Sequence, residues 1–122
     1  ANPTERVICI MGDGECEEGS VWEAVNFAAK HNLKNLLVIV DCNKLQAYDK
    51  TEAHGASIIE LYRKFQTFGL LTDWCVDGHN QKEIEANIKH WTMNLAPTIL
   101  LAETIKGKGL RNEGELSCHY HE

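Results

Sequence analysis

The 122 residues are enough for one compact domain with a core and too few for two, and 43% hydrophobic with 25% charged residues is the balance of a globular protein. Twelve Lys and Arg against 18 Asp and Glu leave a formal charge of −6, which argues against nucleic acid and anionic membranes as partners. No apolar run approaches the roughly 20 residues of a membrane span, and the sequence reads as lacking a signal peptide. Five cysteines with no C-x-x-C pair predict free thiols rather than a disulfide framework or a structural zinc site, and so a reducing, cytoplasmic compartment.

In chain order, "RVICIM" (6–11) is short, β-branched and apolar, and predicts a strand buried on both faces. From Gly19 to about His31 the apolar residues Val21, Trp22, Val25, Ala28 and Ala29 recur at helical spacing. "NLLVIVDCN" (35–43) predicts a second buried strand, and the β-α-β order forces the two strands to run parallel. Residues 45–55 are polar and irregular and read as loop. Ser57 and Glu60 have capping-box spacing before a helix, and Asn80 and Glu83 repeat it before another. "TDWCV" (72–76) reads as a short strand, and "PTILLAETI" (97–105) as a strand with proline at its first residue. The glycine-containing stretch 106–122 reads as loop. Alternation of strands and helices predicts an α/β fold: an open, mostly parallel sheet flanked by helices, in a single domain over 1–122.

Such sheets bind ligands at the carboxyl ends of their strands. Asp13 in "GDG" follows the first strand, Asn43 the second, and "TIKGKG" the last. Adjacent parallel strands would bring Asp13 and Asn43 together. Their oxygens, with a backbone carbonyl, are hard ligands suited to magnesium or calcium. The N–H groups of the Gly12–Gly14 turn would attract the phosphates that magnesium commonly shares. An ordinary Asp-Gly hairpin turn is the competing explanation, but the residues after "GDG" carry helical spacing rather than the alternation of a second antiparallel strand. Cys9, Cys42 and Cys75 fall in strands, where cysteine acts as a small hydrophobe. His79 in "DGH" is expected to shape a turn.

"GDGECEEGSVWEAVNFAAKHNLKNLLVIVDCNKLQ" (12–46), with 28 residues between Gly14 and Asn43, resembles the thiamine diphosphate signature of the transketolase family. The resemblance continues through "KFQTFG", "VDGHN" and "PTILLAETIKGKG" and covers nearly the whole chain. It implies the diphosphate-binding portion of the thiamine diphosphate fold and transfer of a two-carbon ketol unit between sugar phosphates. Asp13 and Asn43 would hold Mg2+ (or Ca2+ or Mn2+) through their side chains, and Leu45 through its backbone carbonyl. Gly12, Asp13, Gly14, Glu15, Asn43, Leu45 and His121 form the implied cofactor-contacting set. Gly14 would let backbone approach the diphosphate. Glu18 and Glu23 match glutamates that line the subunit interface near the cofactor's activating carboxylate, while Glu15 and Glu17 also suit a helix start. His121, or else His119, matches the histidine near the reacting centre.

A "G-[ST]-x-G-x-G" loop and a pyrimidine-binding domain are not present in these residues. With the opening at Ala1, the expectation is a fragment or a short subunit, inactive alone. It would need a second subunit or another region carrying the pyrimidine-binding domain, in a homo- or hetero-oligomer such as a dimer. "AYDKTEAHGAS" (47–57) and "LRNEGELSCHYHE" (110–122) depart from the family's usual text, so the acceptor need not be a standard pentose phosphate. The alternatives are a 1-deoxyxylulose-5-phosphate synthase-like enzyme, a non-catalytic cofactor-binding or assembly subunit, and an unrelated magnesium-dependent α/β domain with Asp13 as nucleophile.

Overall fold

The structure is a computed structural model that describes residues 5–46 and 49–119, the last by its backbone. Four strands form one parallel sheet: β1 (Val7–Gly12), β2 (Leu36–Cys42), β3 (Leu71–Cys75) and β4 (Thr98–Glu103), in the order β1-β2-β4-β3. Helices α1 (Gly19–Lys30), α2 (Ile58–Thr67) and α3 (Gln81–Met93) connect them. The open parallel α/β sheet is therefore as the alternation of segments predicts. β1 and β2 are parallel neighbours, with Gly12 opposite Asp41.

The helices form where apolar residues recur every three or four positions, and each stripe faces the sheet. Leu61 and Phe65 of α2 are wholly buried with Val40, Ile99 and Leu101 on one face. Ile84, Ile88 and Trp91 of α3 close the other face over Leu37 and Leu100. Trp22 ties the layers together: its Nε1–H donates to the Cys16 carbonyl at 2.8 Å, and its ring packs 5.1 Å from Phe65 and 5.6 Å from Phe68. Ser57 caps α2 in the expected reciprocal box with Glu60. Asn80 caps α3, but Glu83 turns to accept the Val76 N–H at 2.8 Å instead of closing back on the cap.

Four expectations change. β1 is not buried on both faces: among the described residues it is one of the sheet's two edge strands, with Ile10 72% exposed and Cys9 exposed. Its open flank leaves an apolar groove of about 260 Å3 against α1. Within the expected loop 45–55 the described residues carry order of their own: Leu45 bridges Lys50, and Thr51–His54 form a 3-10 turn, where the Ala53 and Gly55 N–H groups find acceptors locally. Glu15 and Glu17 do not open α1. They lie in a separate 3-10 turn, Gly14–Glu17, whose cap is Asp13. In the last segment, Leu116–His119 form a further 3-10 turn. All five cysteines are free, and Cys16, Cys42, Cys75 and Cys118 are buried. No helix among the described residues is long and apolar enough to cross a membrane.

Candidate functional site

Parallel neighbours end at the same edge, so β1, β2 and β4 deliver Asp13, Asn43 and Thr104 to one crest of the sheet. Asp13 is 2% exposed. Its Oδ1 accepts the Gly14 N–H at 2.9 Å, and its Oδ2 accepts the Lys44 N–H at 2.8 Å and the Thr51 hydroxyl at 3.1 Å. Lys44 has a left-handed φ of 67°, a conformation that costs a non-glycine residue about 1–2 kcal/mol; the charge-assisted bond to Asp13 offsets it. Burial pushes the Asp13 carboxyl above the ordinary range, against the pull of the Lys44, Thr51 and Gly14 donors, and the nearby Asp41 carboxylate pushes the same way.

Asn43 stands two residues beyond Asp41 at the end of β2. Its Nδ2–H donates to Asp41 Oδ2 at 3.1 Å, and its Oδ1 accepts the Leu45 N–H at 3.0 Å. Asn43, Lys44, Leu45, Lys50, Thr104 and Lys106 line a cleft of about 280 Å3 at this end. Its three lysines outnumber the one carboxylate of the lining, Glu52, and Lys44 also pairs with Glu103 at 2.8 Å. Asp13 lies buried at the adjacent strand end and does not line it.

The donor set suits a hard cation. One carboxylate, one amide oxygen and one backbone carbonyl, from Asp13, Asn43 and Leu45, match the preferences of Mg2+, Ca2+ and Mn2+. Asp13 is buried beside a second carboxylate, and among the described residues no basic side chain bonds to it. A divalent ion is the kind of charge that such a pair lacks.

The anion cradle differs from the expectation. Each N–H of the Gly12–Gly14 turn already has an internal acceptor: Glu15 Oε1 for Gly12 at 2.9 Å, the Asp41 carbonyl for Asp13 at 3.1 Å, and Asp13 Oδ1 for Gly14. Only the bond from Gly12 to Glu15 is exposed, so it is the one a ligand displaces at least cost. Gly14 has a local reason to lack a side chain, since a Cβ there would stand 3.0 Å from Gln46 Cβ.

Glu18 and Glu23 are exposed on α1, apart from the cleft, and Glu18 makes no side-chain cap bond. His121 lies outside the described residues, as does the His119 side chain. His79 shapes the expected turn through its N–H to Asp77 Oδ1 at 3.0 Å. It does more than that: its Nε2 accepts the Ile105 N–H at 2.8 Å and holds the start of the "IKGKG" segment. Sequence reasoning missed Asp41, Thr51 and Thr104. Only Asp41 left a signal, standing two residues before Asn43 and hence on the same side of an extended strand.

Comparison with known proteins gives the family and the fold. The family model described as "Transketolase, thiamine diphosphate binding domain" matches residues 3–121. The chain is 43% identical over 109 residues to mouse transketolase-like protein 2, spanning 88% of itself and 17% of that protein. It is 38% identical over 112 residues to human transketolase, of which it spans 16%. It is 36% identical over 115 residues to a 6-deoxy-6-sulfo-D-fructose transketolase subunit of Clostridium sp. (strain MSTE9), covering 93% of this chain and 41% of that one. The solved transketolase of Campylobacter jejuni superposes with a TM-score of 0.84 over 93% of this chain and 18% of its own, at 24% identity, and so shares the fold. The chain belongs to the transketolase family, within its thiamine diphosphate-binding domain.

Proposed function

We propose that this chain is the diphosphate- and metal-binding part of a transketolase-like transferase acting on sugar phosphates or related ketoses and aldoses. The observation that carries the reading is Asp13, whose buried carboxylate accepts the Lys44 N–H and whose backbone N–H donates to the Asp41 carbonyl, tying it to the strand end that bears Asn43. Asp13 and Asn43 would hold Mg2+ (or Ca2+ or Mn2+) by side-chain oxygens and Leu45 by its carbonyl. The lysine-lined cleft would take the diphosphate, and Gly12, Gly14 and Glu15 would contact the cofactor from the GDG turn. Thiamine diphosphate, when bound, supplies the carbanion chemistry of ketol transfer; this chain's residues anchor and orient it.

Glu18 and Glu23, exposed at the start of α1, would face the partner region or subunit that carries the pyrimidine-binding domain. His121 would stand near the reacting centre. On this reading the chain is inactive by itself and works in an oligomer.

Calorimetric titration of thiamine diphosphate, with and without Mg2+, into wild type and Asp13→Ala tests the reading. Binding is expected to require the metal and to weaken by about tenfold or more in the variant, a change of about 1.4 kcal/mol at least. Equal affinities for the two proteins in Mg2+ would overturn it.

A further inference from the structure

Asp41 touches all three strand ends that carry the candidate site. Its backbone carbonyl accepts the Asp13 N–H at 3.1 Å, just past β1. Its Oδ2 accepts Asn43 Nδ2–H at 3.1 Å, just past β2. Its Oδ1 accepts the hydroxyl of Thr104, the first residue past β4. Thr104 is itself held there by its N–H, which donates to the Cys42 carbonyl at 3.2 Å.

An ionised carboxylate accepts hydrogen bonds and donates none. Asp41 therefore dictates which end of the Asn43 amide faces it: the nitrogen, never the oxygen. Asn43 Oδ1 is turned the other way, toward the Leu45 N–H at 3.0 Å, with a second lone pair remaining. A cation needs that oxygen, and a flipped amide would offer it two N–H groups instead. The Thr104 hydroxyl fixes the rotation of the Asp41 carboxylate from a different strand, so the amide is oriented without help from a ligand.

We propose that Asp41, locked by Thr104, is the positioning residue that sets the amide face of Asn43 and thereby presets the cation site; this rests on the metal–diphosphate reading above. Groups that orient a ligand residue without touching the metal commonly change affinity by 10–100-fold.

The test is Mn2+ binding in the presence of thiamine diphosphate, read as free Mn2+ by electron paramagnetic resonance, alongside thermal midpoints without metal. Asp41→Ala is expected to weaken Mn2+ binding by about 10–100-fold. Asp41→Asn, whose amide oxygen still accepts from Asn43, should recover to within about threefold of wild type. Thr104→Val should weaken binding several-fold while the metal-free midpoint stays within about 2 °C, which keeps the test decisive even if Asp41→Ala folds poorly. Wild-type affinity in Asp41→Ala or in Thr104→Val overturns the proposal. So does Asp41→Asn as weak as Asp41→Ala, because the role is then charge rather than orientation. If wild type takes up no Mn2+, or Asp13→Ala takes up as much, the metal–diphosphate reading itself fails.

Discussion

β1 and β4 are written in nearly the same alphabet and have opposite fates. Residues 98–102 of β4 are all buried, between β2 and β3 and under helices on both faces. Val7, Ile8 and Ile10 of β1 are exposed, with β2 on one side and no strand on the other among the described residues. An apolar, β-branched run specifies that a strand forms. Which neighbours cover it is settled by elements far away in the chain.

The widest contrast should appear in thiol chemistry. Cys9 lies exposed on β1, whereas burial, followed by the Asp13 and Glu15 charges, pushes the Cys16 thiol up to about 12. Burial also pushes Cys75, under α3, to about 11. Under native alkylation followed by peptide mass spectrometry, Cys9 should react first and Cys16 about a thousandfold more slowly than an ordinary exposed thiol at the same pH. Comparable rates at the two sites would break the contrast.

Core truncation comes next. Leu101→Ala in β4 should cost about 2–5 kcal/mol in urea unfolding, through lost burial and a residual cavity. Ile10→Ala, already in water, should stay within about 0.5 kcal/mol. Similar midpoints for the two variants would mean that β1 is covered after all.

Two glycines outside the strands differ as well. A Cβ at Gly78 would meet Thr104 Cγ2 at 2.6 Å and the Glu103 carbonyl at 2.8 Å, so Gly78→Ala should destabilise by about 1–3 kcal/mol. Nothing stands within 4 Å of a Cβ at Gly19. Gly19→Ala should be near neutral, within about 0.5 kcal/mol. A damaging Gly19→Ala beside a harmless Gly78→Ala would show the DGH turn is not seated on β4. The smallest effect is Ser57→Ala, about 1 kcal/mol from losing the α2 cap; an unchanged unfolding midpoint would remove the capping box from the account.

Local text determined a good deal by itself. Helical spacing placed α1, because 3.6-residue periodicity follows from backbone geometry alone, and cap spacing marked the starts of α2 and α3. The Ser57–Glu60 box was legible because both partners lie within one turn. "GDG" and Asn43 could be matched across the sheet because parallel strands must end together. Tertiary structure decided the rest. The partners that hold Asp13 and Asn43 are Thr51, 38 residues from Asp13, and Asp41, which reaches Thr104 63 residues away. A hydrogen bond across that separation leaves no periodicity in the sequence, since it depends on strand order and not on neighbouring residues. For the same reason β1 read as buried while standing at an edge: composition measures how much a residue gains by leaving water, and only the assembled neighbours determine whether it does.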